Sequence, residues 1–273
     1  MKLDSGFPTT VTVYGTGLIG CSFALALKQS FPGVRVFGID NEHILQRART
    51  TGAIEGTNSV SPEDPDLIIL STPVGQILRL TGELQPGRSI ILDVGSTKVD
   101  ICRKAEDRRL PFVGGHPMTG SERSGPEAAS ADLFKGSRFF LCPISSTPSG
   151  AVSQLENLIR TIGALPYVVS PGNHDKLVAE LSHLPQILST ALADLTGEHR
   201  EFAGPGWKSV TRLAASPFHV WRDILMTSGA LPAELEVYIQ RLRDILDALE
   251  RKDLNQLESI FLRANKSVLD GPH

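Results

Sequence analysis

Two side chains in this sequence could handle a single proton between them. His116 stands in GGHPMTGSERSG (114–125) and Ser96 in DVGSTK (93–98), each at the end of a short β-like run. A neutral imidazole is the usual general base near physiological pH. A nearby hydroxyl could hold the oxygen that gives up the proton. Both residues also have ordinary structural uses. His116, between glycines and a proline, reads as a turn residue that could cap a loop. Ser96 or Thr97 reads as the N-cap of a following helix. His174, in GNHDKL, reads as a helix N-terminal residue and is left outside the site.

A second motif could hold phosphate. Gly15-Thr16-Gly17-Leu18-Ile19-Gly20 follows the strand-like VTVYG and opens the helix-like SFALALKQS. In such a loop the first glycine allows the tight turn and the second lets backbone approach a pyrophosphate. The third lets helix and strand pack closely. The N–H groups at the helix start, including those of Leu18 and Ile19, would receive the phosphates. Asp40 ends the next strand, where a carboxylate would accept bonds from an adenosine ribose and repel a 2′-phosphate; NAD is therefore expected rather than NADP. Thr72-Pro73 closes a further strand on the same edge. The glycines around His116 then read as room for substrate and cofactor, and Pro117 as a brace.

These residues need a sheet that brings strand ends together. VTVYG (11–15), VRVFGID (34–40), DLIILST (66–72), SIILDVG (89–95), FVGG (112–115), RFFLCP (138–143) and LPYVVS (165–170) read as strands with helical stretches between most of them. That alternation predicts an α/β fold, a Rossmann-type doubly wound parallel sheet. After Pro171-Gly172 strand signals vanish and apolar residues recur at helical spacing, interrupted at Gly204-Pro205-Gly206 and Ser216-Pro217. The expected domains are 1–170, a dinucleotide-binding half, and 171–273, an all-helical half for dimerisation. The helical half carries more apolar surface than one such partner can cover, so a homodimer is expected.

Composition narrows the classes. A formal net charge of -3 gives no basic field for nucleic acid. Cys21, Cys102 and Cys142 are scattered and form no CxxC pair, which argues against zinc, other metal ligation and a disulfide framework. Apolar runs such as LIIL (67–70) are too short to cross a membrane, and MKLDSGFPTT has no apolar signal core. A cytoplasmic setting is expected.

Across nearly its whole length the sequence resembles the prephenate/arogenate dehydrogenase family of tyrosine biosynthesis. The resemblance rests on VYGTGLIGCSFALAL, DVGSTK, GGHPMTGSERSGPEAASADLF, SHLPQ and TRLAASPFHVW, in the family's order. It implies oxidative decarboxylation of arogenate or prephenate with a nicotinamide cofactor. By resemblance, His116 takes the proton of the substrate's ring hydroxyl and Ser96 bonds the same hydroxyl. The resemblance also gives the substrate to the helical half (171–273), where Ser182, His183 and Trp221 line the pocket and Arg212 grips a substrate carboxylate. A two-pronged guanidinium suits that last task.

One departure matters. The family often reads SHLPH, but here the last position is Gln186. On a helix it shares a face with His183. An amide offers a carbonyl acceptor where a histidine could become a cation, and arogenate carries an ammonium where prephenate carries a keto group. Gln186 therefore tilts the expectation towards arogenate. Two rival readings stand beside this one. A 3-hydroxy-acid dehydrogenase would use a lysine in the helical half, for which Lys176 is a poor candidate, and would leave GGHPM unexplained. A non-catalytic NAD-sensing protein would need the glycine loop and Asp40 but not His116, Ser96 and Arg212 together.

Overall fold

The computed structural model describes residues 7–55, 64–120 and 123–270. Ser121 and Glu122, inside the GGHPMTGSERSG stretch, lie outside the described residues.

Every predicted strand is present: β1 (Thr10–Tyr14), β2 (Arg35–Ile39), β3 (Leu67–Leu70), β4 (Ile90–Asp93), β5 (Phe112–Pro117), β6 (Arg138–Pro143) and β7 (Leu165–Val168). They form one seven-stranded sheet in the order β2-β1-β3-β4-β5-β6-β7. Helices α1 (Leu18–Ser30), α2 (Glu42–Thr50), α3 (Val74–Glu83), α4 (Val99–Asp107) and α5 (Ala151–Thr161) connect them. LIIL and the first three residues of IILD are apolar because strands of a parallel sheet are covered on both faces. Their alternate residues serve different cores. Leu67, Ile69, Ile90 and Leu92 pack with Phe23 and Leu27 of α1 and Leu155 of α5. Leu70 and Ile91 pack with Ile77 of α3 and Ile101 of α4. The period of two along each strand thus produces helices on both faces.

One pairing departs from an all-parallel sheet. β6 runs antiparallel to β5, with His116 opposite Phe140, while β7 runs parallel to β6. His116 is accordingly a strand residue, not a turn residue as its glycine and proline neighbours imply. Those glycines make room for protein rather than ligand. A Cβ on Gly115 would lie 2.3 Å from the Asp93 carbonyl oxygen, and one on Gly114 would lie 2.8 Å from Cys102 Sγ.

The strand order reverses between β1 and β3, and at such a switch point a crevice opens beyond the carboxyl ends of the strands. The glycine loop leaves β1 there and Ser71-Thr72-Pro73 leaves β3. After β7 the chain is helical: α6 (Pro171–Val178), a π-helical turn (Ala179–His183), α7 (Leu184–Thr196), α8 (Pro205–Thr211), a 3-10 turn (Arg212–Ala215) and α9 (Phe218–Thr227). These helices form one compact unit with the sheet, ending at Ser228. A second unit from Gly229 onward holds α10 (Leu231–Glu250) and α11 (Leu254–Leu269) as a helical hairpin. Asp253 caps α11 by accepting from Gln256 N at 3.0 Å.

Gly115→Ala tests the tight seam between β4 and β5. Overpacking against fixed backbone typically costs about 1–3 kcal/mol, so the variant should melt several degrees below the parent in a calorimetric scan. An unchanged melting temperature would show that the seam can widen.

Candidate active site

The glycine loop has the local geometry its sequence predicts. Gly15 adopts φ +89°, a conformation L side chains rarely tolerate, and a Cβ there would meet Ser71 O at 2.4 Å. A Cβ on Gly20 would lie 2.0 Å from Gly15 O, so α1 starts hard against the loop, whereas above Gly17 the space is open. Gly17 is also the N-cap of α1 and supplies no capping side chain, which leaves first-turn N–H groups, those of Leu18 and Ile19 among them, able to meet an anion. Asp40 closes on the loop: Oδ2 accepts from Thr16 N at 2.8 Å and Oδ1 from Asn41 N at 2.8 Å. Each carboxylate oxygen also meets a second donor, Oδ2 from Thr16 Oγ1 at 3.3 Å and Oδ1 from Asn41 Nδ2 at 3.2 Å. The buried hydroxyls of Ser71 and Thr72 have no partner among the described residues. An open glycine face and uncommitted hydroxyls on one crevice fit a dinucleotide.

Three strand ends along, a buried polar network supports His116. At the end of β4 Asp93 is fully buried and pairs with fully buried Lys98. Its carboxylate also accepts from Gly95 N at 2.9 Å and from Gly115 N at 3.1 Å, joining the β4–α4 bend to β5. Ser96 sits part-buried on that bend. Neither Ser96 nor Thr97 caps α4. The cap comes from α6: Asp175 Oδ1 accepts from Lys98 N at 2.7 Å and Oδ2 from Val99 N at 2.9 Å. Thr97 instead meets Thr227 of α9, hydroxyl to hydroxyl at 2.8 Å.

His174, set aside on the sequence, belongs to this network. Its Nε2 lies 2.9 Å from His116 Nδ1 and its own Nδ1 lies 2.8 Å from Asp175 Oδ1. Phe140 packs edge-on against the His174 ring at 5.1 Å between centroids. Burial, reinforced by the neighbouring His174, Lys98 and His183, holds the His116 imidazole well below its ordinary value. Burial likewise lowers His174, although its bond to Asp175 opposes the shift. Both rings are therefore neutral at physiological pH.

The helical residues form a second cluster. His183 ends the π-helical turn, a distortion common at functional sites. Its Nδ1 is 2.8 Å from Ser228 Oγ and its ring meets Trp221 edge-on at 5.8 Å. Burial pushes its pKa down to about 4. Ser182 precedes it, part-buried. Gln186, on the first turn of α7, donates Nε2–H to Leu213 O at 2.9 Å and to Thr190 Oγ1 at 3.3 Å. A carbonyl can only accept, so the amide nitrogen is fixed on that side. Its Oε1 is buried without a partner among the described residues. Ser189 adds a bond from Ala214 N at 2.9 Å. Two residues of α7 thus seat the short turn that carries Arg212, whose side chain is exposed and not without interaction. On α9, Asp223 accepts from Gly75 N of α3 at 3.0 Å, so this helix contacts both the Thr72-Pro73 edge and the Ser96 bend.

The family description "Prephenate dehydrogenase, nucleotide-binding domain" matches residues 23–168, and "Prephenate dehydrogenase, dimerization domain" matches residues 170–263. The chain belongs to the prephenate dehydrogenase family. It is 35% identical to the prephenate dehydrogenase of Bacillus subtilis over 96% of this chain and 76% of that protein. A cyclohexadienyl dehydrogenase of Zymomonas mobilis is 29% identical over 95% of this chain and 94% of its own. The fold matches a crystal structure of prephenate dehydrogenase from A. aeolicus in complex with hydroxyphenyl propionate and NAD+. That match has a TM-score of 0.87 and 25% identity, covering 99% of this chain and 100% of the other. The Rossmann-type sheet and helical half are those of a prephenate dehydrogenase, and the chain is an oxidoreductase. Among the described residues no His, Cys, Asp and Glu group could hold a metal ion, and no helix is long and apolar enough to cross a membrane.

The three depressed histidines make stability pH-dependent with a definite sign. Below the ordinary histidine pKa of about 6.5 the unfolded chain binds protons that folded His116, His174 and His183 refuse. Stability is full above that value and falls with acidification as all three lowered histidines are forced to charge, the His183 part being lost down to about 4. Each such proton contributes about 1.4 kcal/mol per pH unit. Urea unfolding at a series of pH values should show the midpoint dropping steadily below pH 6.5; a flat midpoint down to pH 5 would contradict the burial of these rings.

Proposed function

We propose that this chain oxidatively decarboxylates arogenate in preference to prephenate, with NAD, in tyrosine biosynthesis. Family membership supports the reaction class. The observation that supports the substrate choice is Gln186 Oε1, a buried acceptor whose amide nitrogen is already committed to Leu213 and Thr190. A buried acceptor without a donor is costly, and an ammonium on the substrate supplies the donor. Arogenate carries one; prephenate places a keto acceptor there, which faces Oε1 with like polarity.

The cofactor assignment follows the loop. Gly15, Gly17 and Gly20 shape the pyrophosphate cradle, Leu18 and Ile19 present backbone N–H groups, and Asp40 takes the adenosine ribose, favouring NAD over NADP. Thr72 and Pro73 border the same crevice. When held there, NAD would supply the hydride acceptor for the hydroxyl-bearing ring carbon. His116 takes the hydroxyl proton, and Ser96 orients that oxygen. Arg212 holds a substrate carboxylate. Ser182, His183 and Trp221 shape the pocket around the ring. The ring carboxylate leaves as carbon dioxide and the ring becomes aromatic, giving tyrosine from arogenate or 4-hydroxyphenylpyruvate from prephenate. The protein's task is to place the reactants and set one proton acceptor.

The functional boundary lies near residue 170, with the helical half forming a homodimer in the cytoplasm. Exposed apolar side chains on α10 and α11, among them Val237, Leu254, Phe261 and Val268, support pairing.

Two variants test the assignments. Removing a general base typically costs on the order of 10²–10⁴ in rate, so His116→Ala should lose that much kcat while calorimetric NAD affinity stays within a fewfold. Near-normal turnover would remove His116 from the mechanism. Steady-state kinetics on both substrates should show wild type preferring arogenate in kcat/KM, and Gln186→His moving the ratio towards prephenate by at least tenfold. A wild-type preference for prephenate would sink the role given to Gln186.

A further inference from the structure

The geometry points to His174 and Asp175 as positioning residues that fix the tautomer of His116 and so leave its Nε2 lone pair free for the substrate hydroxyl. The inference rests on His116 being the proton acceptor, and it extends that role to two residues outside the pocket.

Each hydrogen bond in the chain forces the next. Asp175 accepts two backbone N–H groups, from Lys98 on Oδ1 and from Val99 on Oδ2, so both of its oxygens serve as acceptors there. The His174 nitrogen 2.8 Å from Asp175 Oδ1 must then be the donor, so His174 carries its proton on Nδ1. A neutral imidazole has one N–H only. The Nε2 of His174 is therefore an acceptor, and the His116 Nδ1 that lies 2.9 Å away must donate to it. His116, also neutral, then has its lone pair on Nε2.

The surroundings leave little freedom to reverse this order. His174 is fully buried and Asp175 only 3% exposed. Phe140 covers the edge of the His174 ring. The cation on the far side, Lys98, is committed to Asp93. With His116 on β5 and His174 on α6, both rings are held by packed elements rather than by mobile loops.

In the reaction, the substrate O–H bond breaks and an N–H bond forms at His116 Nε2. His116 becomes an imidazolium whose Nδ1–H is still donated to His174, whose own Nδ1–H is donated to the Asp175 carboxylate. No proton is created or lost, and the new positive charge faces a carboxylate through one ring. Such second partners on a catalytic histidine set its tautomer and orientation.

The test compares two replacements of His174. Glutamine can place its carbonyl oxygen where Nε2 stood and accept from His116 Nδ1–H; phenylalanine fills the volume and accepts nothing. His174→Phe should lower kcat about 10²-fold with KM within threefold of wild type, and His174→Gln should recover most of the loss. Nitrogen-15 NMR of histidine-labelled protein, with His116 assigned through His116→Ala, should show a protonated Nδ1 and an unprotonated Nε2 in wild type and His174→Gln. It should show the Nε2–H tautomer gaining in His174→Phe. A wild-type His116 protonated on Nε2, or a His174→Phe enzyme within threefold of wild-type kcat, overturns the proposal. Those outcomes are separable from the His116→Ala result, because the NMR reading does not depend on turnover.

Discussion

The Asp175 carboxylate is the contact on which the proposed active site depends. Its two oxygens cap the start of α4, and one of them also holds the ring of His174. Through the first pair of bonds it fixes the bend that carries Ser96. Through the second it fixes the ring that supports His116. One side chain on α6 thus sets the relative position of residues from two different strand ends. Leaving such buried donors unpaired costs about 1–3 kcal/mol for each, so this carboxylate matters to folding as well as to chemistry. The Asp93–Lys98 pair does similar work at the same bend, tying it to Gly115 of β5. Breaking one partner of a buried pair commonly costs about 3–5 kcal/mol.

Stability and chemistry draw on the same burial. The low dielectric that keeps His116 neutral leaves its ring able to accept a proton, and it also makes the fold sensitive to acid. The helical side shows the same economy. Gln186 anchors the turn of Arg212 through its amide nitrogen, which leaves its buried oxygen without a partner among the described residues. Asp223 and Thr227 of α9 hold that helix to the β3 and β4 edges, so the Trp221 that lies on it is fixed from two sides.

Much of this was legible in the sequence, because short-range pattern governs it. Seven apolar runs became seven strands, and Gly15, Gly17 and Gly20 each have the environment that the spacing implies. The helical half from Pro171 onward follows from apolar periodicity. What was missed depends on long-range pairing. His116 lies in a strand because β6 returns antiparallel beside it, and nothing local to GGHPM announces that partner. Gly114 and Gly115 are small to admit Cys102 and the Asp93 backbone, contacts that exist only once β4, β5 and α4 are assembled. His174 looked like a helix-terminal residue, and it is one; its second role appears only when α6 packs on β6. The side chain next to it, Asp175, was the available signal, since His-Asp at a helix start can serve a ring and a neighbouring helix at once.

The most direct test of the account is product stoichiometry. Purified protein is mixed with NAD and arogenate, and in parallel with prephenate, and NADH and released carbon dioxide are measured in the same samples. The account predicts equal amounts of NADH and carbon dioxide, with an aromatic product and the faster formation from arogenate. NADH without carbon dioxide, or neither product from either substrate, would contradict it.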